Sequence, residues 1–489
     1  MKSERVIKPT GFIRLGKLEP LNVAKVPVFR GMWVSMGSGL IWASMAMGSG
    51  ELIWWPYLTA KYGAAFIGIL LPACIMQYFV NQEIARYTAT TGEGLFQGFA
   101  RLHYVFVVIM WIMMVISFAW VGSYTTSGAT ALFELTHFPQ GWGPKAGTLF
   151  WAYLIIFGFL MMIFFSKVVY NTIERLMKIL IIICFVGVLI AVIQPQVLQT
   201  ANDFFHAYFN PLNIFISGMP INWNHSDNNV LLTAICFAGM GGFLNVMYSY
   251  WIRDKGIGMS NLINPVKGLF TGGTEVIQEV GYFFEDTPEN KENYTKWLKC
   301  IRIDNGLAVS INALMAMIMC WLAWAILLPK GEYPSGWQIA VVQSKFFELS
   351  MGHIGRIIFL VIAVAFLCDG WLRLTDACAR IHADFFRTMF AFTRKYSFKK
   401  LYYFFVVTLT IISCVTIPLA EPGPLLLLGG IFNFIAMAIY CPALIYINYF
   451  LIPKTYPSWT RPSISSLILI GTVSIIYIII SIWYIATIF

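Results

Sequence analysis

The chain has 489 residues, 58% of them hydrophobic and only 11% charged, with a mean hydropathy of +0.72. Globular domains carry roughly 25% charged residues, so this composition excludes a soluble enzyme with a large core and implies a polytopic membrane protein. The net charge of +10 would serve nucleic acid only if it formed one recognition surface; its scatter along the chain excludes that partner.

The first thirty residues carry Lys2, Arg5, Lys8, Arg14, Lys17, Lys25 and Arg30. The apolar run that follows is too long for a signal-peptide core and shows no cleavage site, so residues 1–30 are expected to be a cytoplasmic N-terminal tail. A bilayer core takes about 20 apolar residues per helix. Eleven stretches qualify: 33–60, 64–88, 104–132, 147–166, 173–193, 229–252, 303–328, 356–383, 401–418, 424–450 and 464–488, numbered here as spans 1 to 11. With the N-terminus inside, the outer side holds Lys61, Lys145, Lys330, Lys345 and Arg356, leaving 28 of the 33 Lys and Arg residues within. That asymmetry obeys the positive-inside rule and puts the C-terminus outside. Basic charge then faces anionic lipid at the cytoplasmic surface.

Two connections exceed what a turn needs. Residues 194–228 lack Lys and Arg, hold Pro195, Pro211, Pro220 and Trp223, and are expected to cap the outer mouth. Residues 253–302 run from Arg253-Asp254-Lys255-Gly256 through Glu285-Asp286-Thr287-Pro288-Glu289-Asn290-Lys291 and suit a helix or gate cover inside. Eight of the nine cysteines (Cys74, Cys184, Cys236, Cys320, Cys368, Cys378, Cys414, Cys441) lie in apolar stretches without ligand spacing, so neither a disulfide frame nor a zinc site is implied. Asn224-His225-Ser226 and Asn293-Tyr294-Thr295 are chance-level glycosylation matches, the second on the wrong side.

Span 1 is broken at Met47-Gly48-Ser49-Gly50-Glu51 and span 6 at Ala238-Gly239-Met240-Gly241-Gly242. In hydrocarbon each unsatisfied backbone group costs several kcal/mol, so such breaks survive only against an enclosed cavity. An ionisable group there, Glu51, is by default functional. Five spans separate the two breaks, an odd number, so the halves enter the membrane from opposite sides. This is the arithmetic of an inverted repeat, spans 1–5 against 6–10 with span 11 appended, and paired breaks mark a transporter's midplane site. The plainer reading of each glycine cluster is close helix packing.

At these residues the sequence resembles a family. Gly37-Ser38-Gly39-Leu40, the run Gln82-Glu83-Ile84-Ala85-Arg86-Tyr87-Thr88-Ala89-Thr90-Thr91-Gly92-Glu93-Gly94-Leu95, and span 6 from Ala238 to Trp251 are similar to the Nramp (natural-resistance-associated macrophage protein) metal-ion transporters. The resemblance implies the LeuT-type fold and uptake of divalent transition metals, usually driven by protons. It also implies that Asn245 and Asn433 line the transport site. The departures are specific. Where the family's span 1 reads Asp-Pro-Gly-Asn, this chain has Gly48-Ser49-Gly50-Glu51; anchored on Asn245, the family's Met and His become Gly242 and Leu244, with Met240 half a turn away. Span 3 reads Ile116-Ser117-Phe118-Ala119-Trp120-Val121-Gly122-Ser123, without the carboxylates the family uses for proton passage.

Glu51 is a hard oxygen donor, suited to Mg²⁺ or Mn²⁺ rather than a thiophilic metal; alternatively it stabilises the N-terminus of the second half-helix. Span 8 carries Asp369, Arg373, Asp376, Arg380, Asp384 and Arg387 at three- and four-residue spacing, which stacks opposite charges on one face. Arg380 to Arg387 read as a structural ladder, while Asp369, Arg373 and Asp376 are candidates for a gate or cation path. Thr125 and Thr126 read as interhelical hydrogen-bonding groups. The six histidines have no ligand spacing, and no catalytic constellation or phosphate loop occurs.

The expected fold is thus an all-α integral membrane protein of eleven helices, a LeuT-type five-plus-five inverted repeat plus one, with spans 1 and 6 broken. Residues 31–455 form the transporter core and 456–489 the appended helix. The expected function is secondary transport or facilitation of a divalent cation by alternating access, with weak or no proton coupling; the other reading is a small organic solute, such as an amino acid or amine. Expected substrate-binding residues are Gly48, Ser49, Gly50, Glu51, Gly239, Met240, Gly242, Asn245 and Asn433, with Glu51 and Asn245 as metal ligands. Partners are membrane lipid and the transported solute, with no cofactor and no nucleic acid, in a membrane expected to be the bacterial inner (plasma) membrane.

Overall fold

Two half-helices and the turn between them make up the first apolar stretch. Helix α1 (Ser38–Ala46) ends before the Gly48 region, and a π-helical turn, Gly50–Trp54, leads into α2 (Trp55–Tyr62). Pro56 sits in the first turn of α2, where its missing N–H costs no helical hydrogen bond. The structure, a computed structural model, describes residues 12–46, 48, 50–165, 179, 182, 183, 185–263 and 280–488. Met47, Ser49, Cys184 and the first part of span 5 (173–178, 180 and 181) fall outside the described residues.

Beyond α2 the chain turns sharply into α3 (Leu70–Thr91), followed by a short α4 (Leu95–Leu102). Span 3 is two abutting helices, α5 (Tyr104–Phe118) and α6 (Gly122–Thr136), and α7 (Pro144–Phe165) follows. The second break separates α8 (Asn228–Cys236) from α9 (Phe243–Lys255). The rest comprises α10 (Pro288–Leu322), α11 (Lys345–Met389), α12 (Phe398–Thr416), α13 (Pro422–Tyr446) and α14 (Ile464–Ala486). Among the described residues seven helical stretches are long and apolar enough to cross a membrane, or eight with the bent pair made by α2 and α3. This is fewer than the eleven expected because span 5 is only partly described and spans 1 and 6 are split into halves. The halves of the two broken spans are 8 to 13 residues long, short of the roughly 20 a bilayer takes.

α10 packs on α3, α11 on α6 and α12, and α13 on α8 and α14. Buried Trp42, Trp55, Trp251, Trp371, Tyr248 and Tyr440 fill the centre, whereas Phe404, Ile411, Ile479 and Ile482 point outward from α12 and α14. Apolar groups on that outer face are what a lipid surround requires and water would not.

Residues 12–30, expected as a tail, are tied to the body. Strand β1 (Phe12–Ile13) pairs antiparallel with β2 (Leu21–Val23), which pairs parallel with β3 (Tyr282–Phe283). Leu15 and Leu21 are fully buried. The Val26 amide donates to Asn290 Oδ1 at 2.9 Å, and Trp297 Nε1 donates to the Pro27 carbonyl at 2.8 Å. This strap lies at the end of the bundle that the charge pattern assigns to the cytoplasm, called the basic end below.

Candidate transport site

The two breaks touch backbone to backbone. A Cβ built on Gly50 would stand 1.9 Å from the Phe237 carbonyl oxygen, so only glycine lets the first break reach the end of α8. Gly242 has φ 69°, and a Cβ there would meet Asn433 at 2.4 Å. At Gly239 a Cβ would crowd Gln77 and Trp42, while Met240 is fully buried in the same turn. Gly48 accepts the Leu52 amide at 3.3 Å.

A half-helix that starts inside a membrane exposes amides with no internal partner. Here side chains from other helices supply them. Asn433 Oδ1 accepts the Phe243 amide at 2.8 Å and so caps α9, while Tyr440 donates to the Gly242 carbonyl at 2.9 Å. Asp304 of α10 does the same for α1, accepting the Gly37 and Gly39 amides at 3.1 and 2.7 Å and the Ser38 hydroxyl at 2.9 Å. Asn245 donates to Gln77 Oε1 at 2.6 Å and accepts from Trp42 Nε1 at 3.3 Å. Gln77 donates on to the Cys236 carbonyl at 3.2 Å. Both asparagines expected at the site are thus engaged within the protein, in a network joining α1, α3, α9 and α13.

Glu51 is placed differently. It is fully buried, and among the described residues neither carboxylate oxygen has an aligned donor. Its neighbours include Asn312 of α10 and Cys74 of α3. Among the described residues the other buried carboxylates have partners: Glu83 with Arg86, Glu93 with Arg101, Asp227 with Lys61, Asp369 with Arg373, Asp376 with Arg380, Asp384 with Arg253, and Asp304 with the start of α1. No group of three His, Cys, Asp or Glu residues could hold a metal ion among the described residues.

The charges on α11 divide by depth. Asp369 and Arg373 pair at 2.7 Å within the helix, fully buried. Asp376 binds Arg380 at 3.1 Å and the Tyr402 hydroxyl at 2.5 Å. Lower down, Arg380 also binds Asp254, and Asp384 binds Arg253, so two ion pairs lock the end of α9 onto α11. Thr126 donates to the Gly122 carbonyl at 3.0 Å within its own helix, and Thr125 Oγ1 has no hydrogen-bond partner among the described residues.

Both ends of the bundle carry clasps that the sequence reading missed. Opposite the basic end, Asp227 accepts from Tyr57 at 3.1 Å, Tyr62 at 2.5 Å and Lys61 at 2.8 Å. Beside it a vestibule of about 440 Å³ is lined by Trp54, Tyr57, Asp227, Ile339, Leu427 and Ile431. At the basic end, Glu93 accepts from Tyr87 at 2.7 Å, Arg101 Nε at 2.6 Å and the Gly281 amide at 2.9 Å. Arg101 also donates to the Leu15 carbonyl at 2.6 Å. Burial would push the Glu93 carboxyl up, but Arg101, Tyr87 and Gly281 together hold it below the usual carboxylate range.

No family model and no curated protein matches the sequence. Solved structures do. A mutant of the Eremococcus coleocola manganese transporter superposes with a TM-score of 0.64 at 13% identity, covering 94% of this chain and 88% of that one. The same transporter, bound to an aromatic bis-isothiourea compound, gives 0.57 at 12% identity over 97% and 99%. MhsT in complex with L-phenylalanine gives 0.51 at 15% over 92% and 98%. Mhp1, a nucleobase-cation-symport-1 family transporter closed on bromovinylhydantoin, gives 0.52 at 15% over 92% of both chains. At such identities the likeness is one of fold, and the fold is the LeuT type.

Proposed function

We propose that this chain is a secondary transporter or facilitator of a divalent cation, Mn²⁺- or Mg²⁺-like, divergently related to the Nramp transporters. It works by alternating access between two inverted five-helix halves around the paired breaks, with span 11 appended. In this reading the N-terminus is cytoplasmic and the membrane is the plasma membrane. The observation that carries the reading is Glu51: a buried carboxylate at the break whose oxygens have no aligned donor among the described residues. Burying a charge without compensation costs many kcal/mol, and a bound cation supplies the compensation. The two sets of ion pairs at opposite ends, Asp227–Lys61 and Arg253–Asp384, supply contacts that opening of either side would break.

Span 104–132 holds no carboxylate, so proton coupling is weak or absent in this reading. Uptake of Mn²⁺ and Mg²⁺ into proteoliposomes, with pH recorded inside, tests both statements. Wild type should take up cation without acidifying the lumen, and Glu51→Gln should lose the uptake. Wild-type rates for every cation in Glu51→Gln would defeat the proposal.

A second reading, transport of a small organic solute, is favoured by the engagement of Asn245 and Asn433 within the protein, which leaves no free amide ligand for a metal at the second break. MhsT and Mhp1 share the fold. An amino-acid panel in the same liposomes separates the two.

A further inference from the structure

Four buried polar atoms without hydrogen-bond partners among the described residues meet between the turn Gly50–Trp54 and α10. They are Glu51 Oε1 and Oε2 and Asn312 Oδ1 and Nδ2. Both residues are fully buried. Asn312 is close enough to hydrogen-bond to the carboxylate, yet the two are not aligned to do so. Large majorities of buried side-chain polar atoms find a partner, so a carboxylate and an amide side by side with all four atoms unmatched point to a third group that both could bind. Cys74 stands beside both, and α3 then passes, one turn on, to Gln77 and the Asn245 network.

We infer that Asn312, through its Oδ1, is a cation ligand alongside Glu51, so that the transported ion sits on the α3 and α10 side of the first break rather than between the two breaks. This inference rests on the divalent-cation reading above and names its second side-chain ligand. The donors are hard oxygens, a carboxylate and an amide carbonyl, which suit Mg²⁺ and Mn²⁺. One carboxylate meets half the charge of such an ion; water and backbone carbonyls complete its shell. The geometry also accounts for the missing side-chain ligands at the second break: Gly242 and Leu244 are not needed where α10 supplies the oxygen.

Binding calorimetry on the full purified chain with MnCl₂, and with choline chloride as the control, tests this. Asn312→Ala should weaken Mn²⁺ binding by at least about tenfold, the lower end of what loss of a group supporting a metal costs. Asn312→Asp should instead tighten it, since two carboxylates match a divalent charge. A purely structural asparagine behaves oppositely, because Asn312→Asp then sets two carboxylates against each other. Melting curves of Asn312→Asp with and without Mn²⁺ read this directly: the ligand role requires that the ion raise the melting temperature more than in wild type. If Glu51→Gln abolishes binding while both Asn312 variants bind as wild type, the inference falls and the divalent-cation reading stands. If Glu51→Gln binds Mn²⁺ normally, the reading itself falls. Asn312→Asp that is destabilised equally with and without the ion also overturns the inference.

Discussion

Gly50 and Phe237 are in backbone contact across the two breaks: a Cβ on the glycine would lie 1.9 Å from the Phe237 carbonyl oxygen and 2.9 Å from its carbon. Backbone cannot yield as a flexible side-chain tip can. Gly50→Ala must therefore push the π-helical turn Gly50–Trp54 away from the end of α8. Overpacking of this kind costs about 1–3 kcal/mol, and here it also alters the relation between the halves that a transport cycle would move.

The expected result for Gly50→Ala is a lower unfolding temperature together with loss of uptake. Gly158→Ala is the control, because nothing lies within 4 Å of a Cβ at that position of α7. Alanine there should be neutral or slightly stabilising, by about 0.5–1 kcal/mol from helix propensity. Equal behaviour of the two variants in melting and uptake would show that the contact does not matter.

Asn433 caps α9 through the 2.8 Å bond from the Phe243 amide. Removing a side-chain cap costs about 0.5–2 kcal/mol, so Asn433→Ala should be less stable by that amount. Asn433→Asp retains the acceptor oxygen but loses the Nδ2 donation to the Gly429 carbonyl and buries a carboxyl, which is costly when charged. Thermal unfolding should therefore rank wild type above both variants. If asparagine served chiefly as a substrate ligand, the two variants would differ in binding and not in melting.

The strap is pH-dependent in a definite direction. Glu93 has its carboxyl held below the ordinary range in the folded protein. A depressed folded value means that the stabilisation is complete above the ordinary glutamate pKa of about 4.3. It is lost as pH falls through the lower folded value. Protection of the amides at Leu21 to Ala24, corrected for the intrinsic pH dependence of exchange, should accordingly fall under acid and stay flat from neutral pH down to about 5. Arg101→Met removes the donor to Glu93 and Leu15 and should release the strap at neutral pH, because breaking one side of a buried pair costs about 3–5 kcal/mol. Protection at these residues that is indifferent to both acid and Arg101→Met would show that the β-pairing alone holds the strap.

How much of this was legible in the sequence follows from the range of each interaction. The breaks were visible because glycine clusters interrupt apolar runs at Gly48–Glu51 and Ala238–Gly242, a local signal. On α11 the pairs Asp369–Arg373 and Asp376–Arg380 are also local, four residues apart, and the spacing announced them. The same ladder misled at its lower end, where Asp384 reaches across to Arg253 and Arg380 to Asp254. Asp304 caps a helix that begins more than 260 residues earlier, and Asn312 meets Glu51 from α10. A single sequence holds no trace of such pairings, because composition and periodicity report only on neighbours along one element. The strap was read as a tail for the same reason: its charges are local, while its partners at 281–297 are not.

Asp369 and Arg373 offer the sharpest separation of stability from transport. The pair is 1% and 0% exposed, at 2.7 Å, in a helix face packed against α6. Asp369→Asn deprives a buried guanidinium of its carboxylate, which costs about 3–5 kcal/mol, and should slow uptake as well. Replacing both partners by apolar residues of similar volume is often neutral or stabilising, so Asp369→Leu with Arg373→Met should recover the melting temperature. Uptake then decides the role. If transport returns with stability, the pair is structural; if the double variant is stable and still slow, the charges belong to the gate or cation path. Arg387→Ala makes the contrast, since that side chain lies at the surface end and donates to the Tyr396 carbonyl. Its loss should cost about 0.5–1.5 kcal/mol, the worth of one ordinary hydrogen bond, and leave uptake per folded molecule unchanged.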